Sequence, residues 1–492
     1  MIGKGKENTV SLRELHGIRL GGYSLGNFGM MLLLFITESY SFNFYVYTLR
    51  IDSILVSIGT TINMITMAFS SIIFGVVLDN TKPRKIGKRR PYLLIGLPIW
   101  AISAILVYVP PWIPPKAEAM AIFPETVIYW PTAIWYWVMN MLKGVFGSLM
   151  MIVFSSVLPE ISQTLKNRKK AAMVSANLRV VSSIISIAFP NILQSLLEDP
   201  QNTAYWTDSG KFVKNVMPPI SIIFGILATI CILISFFSID ESFHSEESNF
   251  EKRTIKDTFK NLFIPAKDKE YMKYLVAGVT SQTSQFALVF TIIPFIAFVL
   301  GQNLLPAEIS DLYIWYIVIS ISTKFFWLYI WKLIMKRQAK LLRTYKLNIL
   351  VIIIAAFFEL LFLSDMHIVL RMILFILSFG TVLGSMYATS IFSQPLLNEM
   401  VDRAAEMYIT RNEKEFIDKG QAVTRLSGAY YGLFMFSTSV LAAISASIYG
   451  VIFRGSNSRN PIILTLGLAS MGLFYIISLI FLQLFKVKLK ES

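Results

Sequence analysis

The stretch Gly75-Val-Val-Leu-Asp79-Asn-Thr-Lys82-Pro-Arg84-Lys85-Ile-Gly87-Lys88-Arg89-Arg90-Pro91-Tyr92 lies between two long apolar runs. Its six cations fall within residues 82–90, too dense for a protein core and too short for a domain. A basic knot closed on both sides by greasy sequence is a short hydrophilic loop between membrane spans. Gly75 allows neighbouring helices to approach closely, as small residues do in lipid. Asp79 stands at a helix end among cations, where it can make charge-assisted bonds across a closing interface. Pro91 is suited to open the following helix.

Working outward, the rest of the 492 residues repeats that pattern. The chain is 55% apolar and 15% charged, which excludes disorder and leaves too little charge for a soluble surface of this size. A single cysteine, Cys231, excludes a disulfide scaffold. Apolar runs bounded by charge or Pro/Gly fall at 21–47, 55–78, 91–109, 132–158, 171–193 and 218–237, then at 271–300, 312–335, 347–363, 369–392, 428–453 and 462–485. The expected architecture is an all-α membrane protein of twelve transmembrane helices in two six-helix bundles. Residues 1–20 and 486–492 are tails, 21–239 and 270–485 the bundles, and 240–269 a polar linker.

Of the 45 Lys and Arg, seven lie on one side: Arg50, Lys116, Lys211, Lys214, Arg371, Arg454 and Arg459. Three fall inside spans, and the remainder gather on the side of the chain ends. Positive-inside sorting makes that side cytoplasmic, with both termini there. The formal charge of +15 then faces an anionic inner leaflet, and nucleic acid is not a partner. Six spans, a linker and six spans is the plan in which two bundles rock about a central site.

The Asp79-Asn-Thr and Gly87-Lys88-Arg89-Arg90-Pro91-Tyr92 elements resemble the inner-gate loop of the major facilitator superfamily. More narrowly they resemble the glycoside–pentoside–hexuronide:cation symporters, the melibiose permease family. Pro159-Glu160-Ile161-Ser162 followed by Arg168 is similar to that family's loop after span four. Glu399-Met400-Val401-Asp402, then Gly428-Ala429-Tyr430-Tyr431-Gly432, is similar to its connection between spans ten and eleven. The resemblance implies the major facilitator fold and a secondary transporter of a sugar or sugar-like solute, working by alternating access with Na⁺ or H⁺. It also implies gating by Gly75, Asp79, Gly87, Arg89, Arg90, Glu160 and Asp402. By the same counting, the family's cation-site carboxylates fall on Met67 and Ser71, its sugar-binding aspartates on Met31 and Met151, and its span-eleven lysine near Thr438. These departures remove the basis for Na⁺ coupling and for galactoside recognition.

The charges left inside spans are Glu38, Lys143, Arg179, Lys324 and Glu359. Intramembrane ionisable groups are expensive and mark function by default. Glu38 shares a helix face with Met31 and is the candidate for ion coupling, by H⁺; its alternative is a structural partner for a basic neighbour. Lys143 can pair with Glu38 or hold an anionic group of the solute, and Lys324 sits mid-span beside Phe325, Phe326 and Trp327. Arg179 is either near the solute or paired with Asp79 or Glu160, whereas Glu359 reads as structural or as lying at a span boundary near Asp365. Among uncharged groups Gln282 and Gln285, within Thr280–Gln285, and Tyr430 are solute-binding candidates, because amides, hydroxyls and aromatic faces suit a sugar.

No nucleophile–base pair, metal spacing or phosphate loop is present, so the chain is not read as an enzyme and calls for no metal or cofactor. Its expected partners are a small sugar-like solute, H⁺ and membrane lipid, for a monomer in the plasma membrane. The alternatives are an uncoupled facilitator, a carrier of lipid-like solutes, or a non-transporting receptor of the same fold.

Overall fold

The computed structural model describes residues 14–81, 87, 89–162, 165–239, 254–338, 341–411 and 419–486. Among them there is no strand beyond isolated bridge residues, and the chain is helical throughout. The first half holds α1 (Gly17–Asn43), a π-helical turn (Phe44–Thr48), α2 (Ser53–Asn80), α3 (Arg90–Leu106), the short α4 (Lys116–Ala121), α5 (Trp130–Ile161), α6 (Leu165–Ser195) and α7 (Asp208–Ser238). After the linker come α8 (Ile255–Leu262), α9 (Lys269–Thr283), α10 (Gln285–Phe295) with a second π turn (Ile296–Leu300), α11 (Pro306–Gln338) and α12 (Leu341–Phe358). The chain ends with α13 (Ile368–Arg411), α14 (Lys419–Ile452), α15 (Pro461–Ala469) and α16 (Met471–Leu484).

Eleven of these segments are long and apolar enough to cross a membrane, and the shorter apolar α3 supplies the twelfth crossing. Spans one to six are thus α1, α2, α3, α5, α6 and α7. Spans seven to twelve are α9–α10, α11, α12, α13, α14 and α15–α16. Twelve crossings bring the start of α1 and the end of α16 to one face, called here the near face.

Local chemistry sets the helix ends. Asp52, Thr207, Asp268 and Asn460 accept hydrogen bonds from first-turn amides of α2, α7, α9 and α15. Pro91 lies in the first turn of α3. Several helices outrun their apolar windows. Span ten continues from the expected 369–392 to Arg411, and span five starts at Leu165 rather than 171. Hydropathy reports where lipid ends; the backbone ladder can continue into water with charged residues on it.

Within the first bundle α1 packs on α6 and α7, and α5 on α2 and α3. At Gly29 an added Cβ would lie 2.7 Å from the Ala228 carbonyl, so spans one and six touch nearly backbone to backbone. In the second bundle α12 and α11 pack on α13, and α16 on α9 and α12. Large apolar side chains such as Ile95, Phe237, Leu377 and Val451 stay exposed on helix surfaces, as a lipid-facing exterior requires. The bundles meet along α2 with α14 and α6 with α11, while α1 touches α10.

Candidate functional site

The far face, opposite the chain ends, is stitched shut. Tyr47 donates to the Ser458 carbonyl (2.6 Å), Ser53 to Gly450 (2.7 Å) and Ser310 to Leu197 (2.9 Å). The Gln201 amide donates to the Ala297 carbonyl (2.8 Å), and the Ser456 amide to the Glu125 carboxylate (3.1 Å). Arg454 pairs with Asp52 at 3.3 Å. Every one of these bonds joins the two bundles. The two π turns, at equivalent ends of spans one and seven, meet here through Tyr47 on Phe298, with ring centroids 6.5 Å apart. Hydrogen bonds between described residues of the two bundles end at Thr61 with Ala443 and Ser447 (3.1 and 2.8 Å). Toward the near face, the bundles touch at Phe69 on Phe436, and α8 lays Phe259 and Phe263 against the same ring.

Below the stitched layer, spans one, two and four share a polar cluster. The Tyr136 hydroxyl contacts Ser41 (3.1 Å) and Thr60 (3.4 Å). Lys143 is 3% exposed and its ammonium reaches the Thr37 hydroxyl at 3.5 Å. Glu38, one residue on, is half-buried, and its charge and that of Lys143 act on each other without direct ion pairing. Beside Lys143, span four also presses against span two: at Gly144 an added Cβ would meet the Asn63 carbonyl at 2.5 Å. Further toward the near face Arg179 is exposed and donates to Asn27 at 3.2 Å, which ties span five to span one.

In the second bundle Lys324 is 6% exposed, with its ammonium 3.8 Å above the Tyr387 ring. Among the described residues it has no hydrogen-bond partner. Such an ammonium has only the ring face to offset its lost hydration. Span seven breaks at Ser284, between α9 and α10, inside the Thr280–Gln285 run. Gln282 is half-buried there and Gln285 exposed. Tyr430 is not brought to this region. Its hydroxyl donates to Asp268 (3.4 Å) and its carbonyl accepts from Tyr271 (2.5 Å), at the linker end of span seven. Glu359 is wholly buried in the turn after α12, and both its oxygens lack partners among the described residues.

The loop residues divide. Arg89 donates to the Ser156 carbonyl of span four, and Arg90 stacks on Phe236 of span six at 4.3 Å. Both therefore brace span three within its own bundle in this conformation. Gly87 has φ +107°, a backbone geometry that favours glycine. Close packing at Gly75 is not seen in this conformation: among the described residues nothing lies within 4 Å of an added Cβ. Asp402 is half-buried on the extended α13. The side chains of Asp79 and Glu160, with 82–86 and 88, lie outside the described residues. Sequence reasoning missed the far-face group Arg50, Asp52, Arg454 and Arg459, counting its cations only as topology signals. The opposite charges two residues apart in the short 1–2 connection were the available clue.

No cluster of metal-ligating side chains occurs among the described residues. No curated protein sequence matches this chain. Among solved structures, the nucleoside transporter NupG superposes with a TM-score of 0.57 at 12% identity, covering 96% of this chain and 100% of that one. The xylose transporter XylE from E. coli, in an inward-open conformation, gives 0.58 at 10% identity over 93% and 94%. A D-xylose-proton symporter gives 0.55 at 11% identity over 92% and 96%. These likenesses establish the fold. The family described as MFS/sugar transport protein matches residues 22–486, nearly the whole chain. With two six-helix bundles joined across one closed face, the chain belongs to this family of secondary transporters within the major facilitator superfamily.

Proposed function

We propose that the chain moves a small, polar, sugar-like solute by alternating access, binding it between the bundles at mid-membrane. The observation that carries this reading is the pair of opposite charges Glu38 and Lys143 on spans one and four, acting on each other without a direct ion pair and set beneath a face closed by bonds between the bundles. Charges at that depth are costly enough to need a task. Lys324 faces the same demand from the second bundle, since its ammonium stays unsatisfied until something binds it. Arg179, Gln282 and Gln285 supply further donors, and Tyr430 anchors the linker instead.

In this reading the structure is closed to the outside and open toward the cytoplasm, where both termini lie. The match to an inward-open xylose transporter supports that assignment. Asp79, Glu160 and Asp402, with Arg89 and Arg90 released from their present contacts, close the near face in the alternate state. The loop motifs favour a melibiose permease-like member acting as a monomer in the plasma membrane. Coupling, where present, uses H⁺ at Glu38, because Met67 and Ser71 leave span two without carboxylates.

A thermal-shift screen of pentoses, hexoses and hexuronides identifies the solute, since a ligand of the native state raises its melting point. Liposome uptake of that solute then tests the mechanism. Glu38→Gln is expected to abolish pH-driven uptake while leaving counterflow. Acid-driven uptake unchanged in the variant removes Glu38 from coupling, and the same uptake in wild type with and without a pH gradient favours the facilitator. That second reading rests on Lys143, which already offsets the Glu38 charge.

A further inference from the structure

Two arginines on the far face have charge and donors to spare. Arg50, in the 1–2 connection, is wholly buried and held at φ +63°. One of its terminal nitrogens donates to the Pro124 carbonyl and to that of Glu125 (3.0 Å). Its Nε and Nη1 have no partner among the described residues. Arg459, in the 11–12 connection of the other bundle, likewise leaves Nε and Nη2 buried and unpartnered. Both guanidinium carbons lie over one ring, Phe123, at 5.2 and 4.7 Å from its centroid, and Arg459 also lies 5.6 Å from Phe298. One arginine from each bundle therefore contacts the same ring.

The nearby acids make their hydrogen bonds elsewhere, although the charge of Glu125 still acts on Arg50 and that of Asp199 on Arg459. Asp52 is bound to Arg454 and caps α2. Glu125 accepts from the Ser456 amide. Asp199 accepts from the Gln201 and Asn202 amides at 3.0 and 3.1 Å. Burial, and for Arg50 next the like charge of Arg459, pull both guanidiniums below the usual arginine range. Those acids offset part of the charge from a distance, and the six N–H donors on the four idle nitrogens still lack an acceptor among the described residues, which is costly unless an anion joins them.

We propose that Arg50 and Arg459 form a binding site for a small inorganic anion, with chloride the simplest occupant, that bridges the bundles when the far face is closed. The donors are charge-assisted and come from both bundles, so binding favours the closed far face over the open one. The inference stands on the fold alone and is independent of which solute is carried.

The test uses purified full-length protein in detergent, with no organic solute, melted while sodium chloride replaces sodium gluconate at constant ionic strength. The melting point is expected to rise with chloride by about 2–5 °C and then saturate. Bromide and nitrate are run in parallel. Arg459→Gln is expected to lose the response and Arg454→Gln, which breaks only the neighbouring ion pair, to keep it. Arg459 makes no hydrogen bond among the described residues, so its variant should fold even where Arg50→Gln does not. Absence of an anion-specific rise in wild type, or the same rise in Arg459→Gln, overturns the proposal.

Discussion

The closed far face invites a direct perturbation, the double variant Tyr47→Phe with Ser53→Ala. Tyr47 and Ser53 are 7% and 0% exposed, and each donates one hydrogen bond to a backbone carbonyl of the opposite bundle. The substitutions keep the ring of Tyr47 and remove little volume at Ser53, so the loss is confined to the two bonds. A buried hydrogen bond contributes about 1 kcal/mol net. In the open state all four groups face water, and the same bonds cost nothing to lose. The two pairs share no partner, so their effects should add to about 2 kcal/mol. That shifts the closed-to-open ratio by about thirtyfold, and either single variant by about fivefold. The readout is the labelling rate of a cysteine at Thr203, 5% exposed on this face, by a membrane-impermeant maleimide, after the lone native Cys231 is replaced by serine. Rates should rise in proportion to the open fraction. An unchanged rate in the double variant would show that these bonds do not hold the face closed, and the gating argument would fall with them.

Other consequences are separable. Lys324→Met removes a buried ammonium that has no hydrogen-bond partner among the described residues, so the melting point should hold or rise while solute uptake falls at least about tenfold. A lower melting point together with normal uptake would make Lys324 structural. Gly87→Ala should lower stability by about 1–3 kcal/mol because of its φ of +107°, whereas Gly75→Ala, facing open space, should stay within about 0.5 kcal/mol. Equal effects in a denaturation series would contradict that distinction.

Helix number and the helices that carry ionisable residues were legible from the chain alone. Each is a property of one segment: a run long enough to cross lipid, or a charge too costly to leave there without cause. The start of span three was also readable, because Pro91 in a first helical turn is a local backbone preference. What Lys143 reaches was not legible, since its contact with Thr37 joins spans four and one across 106 positions. Nor was the role of Arg89 and Arg90, which could equally have faced the other bundle until their contacts with Ser156 and Phe236 fixed them in their own.

Sequence periodicity and charge say which residues lie in lipid, in water or at a helix end, because those preferences act residue by residue. Only the packed structure decided which face is closed and which charges meet. Tyr47 finds Ser458, and Arg50 and Arg459 share Phe123, across several hundred positions of chain. Such encounters follow from how two bundles dock, and no local preference encodes that docking.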